Sequence, residues 1–453
     1  MATNFQKEYK RSPSGLLYVA STGSGKTKRS LEATRGTKTT VVGTASLTKN
    51  FEREEKKFFG TTTPRKVETY SGVARDHNLP GGANLVLDES HYIRNPKTKT
   101  FRELKAQRHK YDKVLAMTAT PIINEPFDIA SQVNIVTKRP VVPQRKEEFY
   151  NLFYKNKKVK PTLKQRIFGG VHPGEIRELK SEKLVRKYLD KHTYVEPAHK
   201  FDALMPKRKE EVIKVPMSGR QLEVYKYIEG TIPRHLRQKI YAQLPPAKKE
   251  VRALNAYLQG LRQVSNTPEP YIKKAETSPK IQKMTDDLKA ELKNKGKVLV
   301  YSNYLDAGVN ALKSELNKNK IQYSELTGGM SKKLRSEQIK KYNTKGGNRV
   351  FLMSGAGTEG INLPGTTLAM LSEPHWNKAR LYQAASRGIR RGDNPNKTVG
   401  VKTYLSTIPT KPHALRFLGF KPKKPRTSVD EYLLAMSKIK EQEANSFMKA
   451  LED

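Results

Sequence analysis

Short runs of Val, Leu and Ile alternate along the chain with longer amphipathic stretches. Short apolar runs are typical of strands buried on both faces of a parallel sheet, and the stretches between them have room for helices. Such runs lie at 15–20, 39–43, 84–88 and 113–117 in the first half of the chain, and at 297–301, 349–353, 368–371 and 400–405 in the second. The alternation predicts an α/β protein with two parallel-sheet lobes.

The remaining segments predict how the lobes are delimited. A length of 453 residues fits two domains with additions. Residues 140–280 are highly charged with a helical pattern, so we expect helical extensions there and no third sheet. The predicted division is lobe 1 over 1–200 with a helical extension, lobe 2 over 201–408 with a helical protrusion at about 218–275, and a basic linker and last helix over 409–453. An apolar stripe predicts that helix at Val429, Leu433, Met436, Ile439, Phe447 and Leu451.

The charge of the chain indicates a polyanionic partner. Lys and Arg number 87 against 44 Asp and Glu, a formal net charge of +43. Such an excess attracts polyanions and can neutralise many phosphates, which indicates nucleic acid as the partner; a basic surface kept only for solubility is the alternative. The absence of cysteine excludes disulfides and cysteine zinc sites. Because no apolar run approaches ~20 residues and the first eleven residues lack an apolar segment, we expect an intracellular protein, whether nuclear, cytoplasmic or virion-associated.

The sequence ASTGSGKT follows the first predicted strand and precedes a helical stretch. It matches the phosphate-binding P-loop pattern except that alanine replaces the first glycine. The backbone N–H groups of Gly23, Ser24 and Gly25 would wrap a phosphate at the start of a helix. Lys26 would reach the β- and γ-phosphates, and Thr27 would hold Mg²⁺. The predicted cofactors are therefore ATP and Mg²⁺.

Two further motifs in the first lobe complete this chemistry. Asp88 and Glu89 end the third predicted strand, where Asp88 would position Mg²⁺ and Glu89 would polarise the attacking water. A helix cap is the alternative reading of such an acidic pair. Thr118 and Thr120 follow the next predicted strand, and their hydroxyls could bond the acidic motif and carry the nucleotide state towards the nucleic acid.

The second lobe supplies the sequence QAASRGIR, which begins at Gln383. Arg387 and Arg390 are three residues apart, so we expect them to share one face of a helix. We expect both to reach the γ-phosphate as the lobes close, with Arg390 as the arginine finger. Solvated surface charge is the alternative.

These motifs, in this order, resemble superfamily 2 helicases, and their details resemble the Swi/Snf branch of double-stranded DNA translocases. The segments that carry the likeness are 42–50, 87–96, 204–218, 261–268, 354–363 and 373–377. The resemblance implies RecA-like lobes and ATP-driven tracking along the duplex backbone without sequence preference. It implies a nucleotide contact at Gln383, and nucleic-acid or coupling roles at Thr44, Ser46, Ser354, Gly357 and Trp376.

Two features qualify the resemblance. The upstream glutamine that reads adenine in many relatives is not clearly present, although Gln6 is a candidate. The tail at 428–440 resembles the closing helix of Swi/Snf-related ATPases, and also that of transcription-associated helicases of large DNA viruses. The predicted function is an ATP-dependent duplex DNA translocase that remodels or displaces protein–DNA complexes. The alternatives are a strand-separating helicase, a motor subunit of transcription initiation or termination with transcription or chromatin-like proteins as partners, and a basic nucleic-acid-binding protein with an inactive nucleotide site.

Overall fold

The structure, a computed structural model, describes residues 4–21, 24–44, 48–60, 65–76, 78–196, 206–272, 276–355, 361–389, 398–409 and 426–452. The chain forms two compact units that interleave along the sequence. Unit 1 comprises residues 1–155, 177–203 and 441–453, and unit 2 comprises 156–176 and 204–440. The predicted division used three continuous blocks, whereas the chain leaves unit 1 at residue 156 and again at 204, and returns to it at 177 and at 441.

A six-stranded parallel sheet forms the centre of unit 1. Its strands are β1 (Gly15–Val19), β2 (Thr39–Gly43), β3 (Lys66–Thr69), β4 (Gly82–Asp88), β5 (Tyr111–Thr118) and β8 (Thr193–Val195). Their order across the sheet is β3-β2-β4-β5-β1-β8, and every pairing is parallel. The four predicted strands of the first half are all present as strands of this sheet.

Helices cover both faces of this sheet because successive side chains of a strand point to opposite sides. Leu17 and Val19 of β1 belong to one hydrophobic core, whereas Leu16 and Tyr18 belong to the other. The helices of unit 1, numbered in chain order, are α1 (Asn4–Arg11), α2 (Lys26–Ala33), α3 (Thr48–Phe59), α4 (Tyr70–Asp76), α5 (Lys99–Gln107), α6 (Asp128–Val136), α7 (Lys146–Phe153) and α9 (Glu182–Leu189).

Unit 2 has its own six-stranded parallel sheet. Its strands are β9 (Lys207–Pro216), β10 (Val298–Ser302), β11 (Ser324–Leu326), β12 (Val350–Ser354), β13 (Leu368–Leu371) and β14 (Thr398–Thr407). They lie in the order β11-β12-β10-β13-β14-β9. The predicted fold class, two parallel-sheet lobes with added helices, is therefore confirmed.

The helices of unit 2 include a separate helical bundle. They are α8 (Leu163–Gly169), α10 (Gly219–Gly230), α11 (Arg234–Tyr241), α12 (Val251–Asn266), α13 (Pro279–Lys293), α14 (Ala311–Lys318), α15 (Lys332–Asn343) and α16 (Lys378–Ala385). Tyr225, Leu236 and Leu258, from α10, α11 and α12, share one hydrophobic cluster.

The expectation that residues 140–280 contain no third sheet is wrong. β6 (Tyr154–Val159) and β7 (Gly174–Leu179) form a two-stranded sheet in this region. β8 is an edge strand of the sheet of unit 1, and β9 is an edge strand of the sheet of unit 2. The reason is the exposure of β6, in which Lys155 to Lys158 all face solvent. A strand of this kind buries no apolar face and therefore leaves no hydrophobic periodicity to find in the sequence.

The last helix, α17, covers Val429–Lys449, as its apolar stripe predicts. Val429, Leu433 and Met436 lie in the helical-bundle cluster of unit 2. Phe447 and Leu451, near and just beyond its end, lie in a core of unit 1. No helix in the described ranges is long and apolar enough to cross a membrane.

A fully buried ion pair fastens α17 to α13 within unit 2. Lys280 Nζ donates to Asp430 Oδ2 at 2.6 Å, to Asn266 Oδ1 and to the Ser372 carbonyl oxygen. Both side chains of the pair are 0% exposed. A buried carboxylate that loses its cation keeps its desolvation cost without compensation, so the pair is expensive to break from one side.

Lys280→Met is expected to destabilise unit 2 by about 3–5 kcal/mol because it leaves Asp430 buried and unpaired. The double variant Lys280→Met with Asp430→Leu should recover most of this loss, since no charge is then buried. Urea unfolding followed by tryptophan fluorescence measures the difference, because Trp376 is the single tryptophan and packs on α17. A Lys280→Met variant as stable as the wild-type protein would contradict the stabilising role of the ion pair with Asp430.

Candidate nucleotide-binding site

Three adjacent strands of unit 1 bring the sequence motifs to one edge of the sheet. β4, β5 and β1 are neighbours in that order. Asp88 at the end of β4 is in register with Met117, and Val19 at the end of β1 is in register with Thr118. Because the strands are parallel, the acidic motif, the threonine motif and the P-loop all begin at the same level. Ligands of open α/β sheets bind at such carboxyl ends.

The P-loop leaves β1 and turns directly into α2. The Ala20 N–H donates to the Thr118 carbonyl oxygen at 3.1 Å, which ties the start of the loop to β5. Gly25 has φ = +85° and precedes the first residue of α2, Lys26. A side chain would be strained in this left-handed conformation, so the turn requires glycine. Thr27 follows in the first turn of the helix and is half-buried.

The loop presents unused donors next to a lysine. Lys26 Nζ donates to the carbonyl oxygens of Ala20, at 2.9 Å, and Ser21, at 3.1 Å. The hydroxyls of Ser21 and Ser24 are buried and have no hydrogen-bond partner among the residues that the structure describes. Buried donors at a helix N-terminus fit a phosphate group, which accepts several hydrogen bonds at once. The residues present therefore fit the predicted triphosphate.

Asp88 lies beside this loop with little electrostatic compensation. Its side chain is 5% exposed, and Oδ1 accepts the Glu89 N–H at 3.0 Å. Burial and the neighbouring Glu89 raise the pKa of Asp88 to about 7, against the opposing charge of Lys26. A divalent cation would favour the ionised carboxylate, and Mg²⁺ is commonly held by one or two carboxylates together with substrate phosphates. Asp88 and Thr27 fit that arrangement.

Glu89 adopts a backbone conformation that is rare for a non-glycine residue, with φ = +53°. Its Oε2 lies 3.3 Å from Nδ1 of His91, and the same Nδ1 lies 3.0 Å from Oγ1 of Thr118. Thr118 Oγ1 also accepts the Thr120 N–H at 3.1 Å. The structure thus joins the acidic and threonine motifs through His91. Backbone strain of this kind is concentrated at functional sites.

A second group of residues positions α2, and sequence reasoning missed it. Tyr18 on β1 donates its hydroxyl proton to Glu196 Oε2 at 2.5 Å. Arg29 on α2 donates to the Tyr18 oxygen at 2.7 Å and also to Glu196. This network fixes the first turns of α2, and hence Lys26, against β1. Glu196 is 167 residues from Arg29 along the chain, so no local pattern could have revealed it.

Other predicted positions in unit 1 are less closely tied to this edge. Thr44 directly follows β2 and is half-buried. Gln6 on α1 donates from Nε2 to Glu32 Oε2 at 3.2 Å. Gly23 and Ser46 lie outside the described residues.

In unit 2, Gln383 lies on α16, but the expectation that Arg387 lies on a helical face is wrong. α16 ends at Ala385, and Arg387 follows in a turn. The carbonyl oxygen of Arg387 accepts the Leu363 N–H at 2.9 Å. The turn is held by close packing, because a Cβ at Gly388 would lie 2.7 Å from Thr366. Arg390 and Gly357 lie outside the described residues.

Two further predicted coupling residues of unit 2 have clear positions. Ser354 is the last residue of β12 and is buried. Trp376 packs edge-on against Tyr432 of α17, with ring centroids 6.0 Å apart. The ammonium group of Lys440 lies 5.5 Å from the centre of the Trp376 ring. The indole therefore packs against the last helix.

The comparisons with known proteins agree with these motifs. The SNF2-related domain matches residues 12–270, more than half of the chain, and the helicase conserved C-terminal domain matches residues 279–392. The chain is 26% identical to a protein of Acanthamoeba polyphaga mimivirus with the provisional name ATP-dependent RNA helicase, over 99% of this chain and 96% of that protein.

Two further likenesses are more distant. A CHD3-type chromatin-remodeling factor of Arabidopsis thaliana is 24% identical over 68% of this chain, which spans only 24% of that protein. The solved SWI2/SNF2 ATPase core of Sulfolobus solfataricus in complex with dsDNA is 19% identical, with a TM-score of 0.37 and coverage of 99% of this chain and 94% of that chain.

Lys26→Ala is expected to abolish ATP turnover because it removes the cation that lies against the P-loop. Lys28→Ala is the matched control, since Lys28 lies on the same helix but is exposed. Steady-state release of inorganic phosphate measures both variants. Near-normal turnover by Lys26→Ala, or equal losses in the two variants, would show that this loop is not the nucleotide site.

Proposed function

The chain is a member of the SNF2-related family of nucleotide-hydrolysing enzymes, and we propose that it couples ATP hydrolysis to movement along duplex DNA, remodelling or displacing the proteins bound there. The observation that carries this proposal is the edge of the sheet in unit 1, where Lys26 and a buried Asp88 stand beside the unused donors of a P-loop. The net charge of +43 supports the choice of a polyanionic track.

Each residue of that edge has a proposed part in hydrolysis. The loop at Gly23, Ser24 and Gly25 binds phosphate through its N–H groups, and Lys26 neutralises phosphate charge. Thr27 and Asp88 would hold Mg²⁺, which would polarise the phosphoryl oxygens of ATP as the bond to its terminal phosphate is broken. Glu89 accepts a proton from the attacking water, and His91, whose Nδ1 lies 3.3 Å from Glu89 Oε2, fixes its orientation.

The remaining roles are proposed from the family resemblance. Arg387 and Arg390 act on the γ-phosphate, with Gln383 as a further nucleotide contact. Coupling to nucleic acid passes through Thr118 and Thr120, which the structure links to His91, and through Thr44, Ser46, Ser354 and Gly357. We assign Trp376 to the positioning of α17 because its ring packs there.

A strand-separating RNA helicase is the second candidate. One observation favours it: the mimivirus relative that aligns over nearly the whole chain is named as an RNA helicase. A motor subunit of a transcription apparatus is chemically compatible with either activity, since it would use the same ATPase. Transcription or chromatin-like proteins are the partners that the proposed displacement would act on.

The proposed movement along DNA is tested by displacement of a third strand from a triplex, which requires translocation without separation of the duplex. The wild-type protein should release the third strand only with ATP and Mg²⁺ and leave the duplex intact. Glu89→Gln should bind ATP and DNA but release nothing, because an amide cannot accept the proton of water. Separation of the duplex strands, or activity confined to an RNA duplex, would favour the helicase and contradict the proposal.

A further inference from the structure

The carboxyl edge of the sheet in unit 2 carries a second polar cluster. β10 ends at Ser302, and Tyr304 follows it. β13 ends at Leu371, and His375 lies in the loop that leads to α16. Parallel sheets bind ligands at this edge, so the cations that gather here are candidates for ligand contacts.

Arg262, on the last turns of α12, is the central cation of this cluster. Its Nε and Nη2 atoms are buried and have no hydrogen-bond partner in any of the described ranges. The guanidinium lies 5.3 Å from the centre of the Tyr304 ring, which is a neutral contact. Nε and Nη2 form one edge of the guanidinium group, and that edge can donate two parallel hydrogen bonds to a single anionic group. Leaving such donors buried and unused costs stability.

Other buried lysines of unit 2 have carboxylate partners. Lys280 pairs with Asp430, and Lys239 on α11 pairs with Glu250. The carboxylate of Glu373, which interacts electrostatically with Tyr304 of the same cluster, accepts hydrogen bonds from Asn266, Ser302 and Asn303. Unit 2 therefore pairs these two buried lysines internally, but leaves the buried edge of Arg262 without a hydrogen-bond acceptor among the described residues.

A second cation adds to the positive potential of the cluster. Arg380 on α16 is exposed, and its Nη2 atom lies 2.9 Å from the position that a Cβ would take on Gly355, directly after β12. Burial, followed by the charges of Arg262 and Arg380, lowers the pKa of His375 to about 4. His375 is therefore neutral at physiological pH, and its Nδ1 accepts the Asn377 N–H at 3.0 Å. The positive potential at His375 comes mainly from Arg262 and Arg380, with a smaller contribution from Lys440.

We propose that Arg262 and Arg380 bind a phosphodiester group of the nucleic-acid backbone at the carboxyl edge of the sheet in unit 2. This inference rests on the proposed function, because it takes the polyanion to be the track along which the enzyme moves. Arg262 supplies the two-pronged contact, and the exposed Arg380 supplies a second positive charge near it. Contacts of this kind do not read the bases, so they can form with any phosphate along the nucleic acid, whatever its sequence.

The observations favour a backbone phosphate over the other anions. A nucleotide phosphate has its own donors in unit 1, at Lys26 and the P-loop serines. A carboxylate of an acidic protein would fit the guanidinium fork equally well. The chain as a whole, however, carries a net charge of +43, which suits the continuous charge of nucleic acid.

The test compares Arg262→Met with Arg252→Met, an exposed arginine on the same helix, in the full-length protein. Affinity for a fluorescent duplex is measured as a function of salt, together with the KM for ATP without DNA and the thermal unfolding midpoint. We expect Arg262→Met to weaken DNA binding about tenfold. It should also make the slope of log K against log salt shallower by about 0.9. The KM for ATP should stay unchanged, and the unfolding midpoint should stay or rise, because an unpaired buried cation has been removed.

Other outcomes overturn the inference. Unchanged DNA affinity with a lowered midpoint would make Arg262 a structural residue, and a raised KM for ATP would make the site a nucleotide contact. The variants are also compared, without DNA, for retention on a column of acidic polypeptide. Retention that is lost by Arg262→Met but kept by Arg252→Met, with unchanged affinity for DNA, would assign the site to an acidic protein. If Arg262→Met fails to fold, Arg380→Gln replaces it, and an unchanged salt slope would then refute the site. A wild-type protein that binds no nucleic acid would refute the proposed function itself.

Discussion

The parallel register of β4, β5 and β1 places Asp88 opposite Met117 and Val19 opposite Thr118, and the chemistry of unit 1 depends on that alignment. These strands are buried on both faces, so their polar groups can reach a ligand only where each strand ends. The P-loop, the acidic pair and the threonine motif all begin there. A shift of one residue between the strands would reverse the faces of their side chains and separate Lys26 from Asp88.

The buried cations of the two units differ in whether the protein itself supplies their hydrogen-bond partners. In unit 1, Arg108 is buried and donates to the carbonyl oxygens of Ser14, Tyr111 and Ile135, which hold β1 and β5 to α6. In unit 2, Lys280 is satisfied by Asp430. Arg262 has neither kind of partner at its buried edge within the described residues, and the anion proposed for it would offset the cost of these unused donors.

The sequence allowed the central strands and the P-loop to be predicted because both have local signatures. A fully buried strand is a continuous apolar run, and a phosphate loop requires glycine at Gly25, where φ is positive. The short strands β3, β8 and β11 were missed because three or four residues give no readable periodicity. β6 was missed because its exposed lysines form no apolar face.

The site was less predictable wherever a residue depends on a distant partner. Glu196 and Tyr18 orient Arg29 across most of unit 1, and Arg262 is notable only for the hydrogen bonds that it does not make. The prediction that Arg387 lies on a helix was wrong because α16 ends before it, where Gly388 packs closely against Thr366. Tertiary packing, which sequence spacing does not record, decided each of these cases.

The central claim is that the edge of unit 1 is an ATPase whose rate is set by duplex DNA. The most direct measurement is the kcat for ATP hydrolysis by the wild-type protein without nucleic acid and with saturating duplex DNA, single-stranded DNA or duplex RNA, at one salt concentration. The account predicts that duplex DNA gives the largest kcat and that mixed-sequence and homopolymer duplexes stimulate equally. A kcat that is the same with and without nucleic acid, or that is highest with duplex RNA, would contradict it.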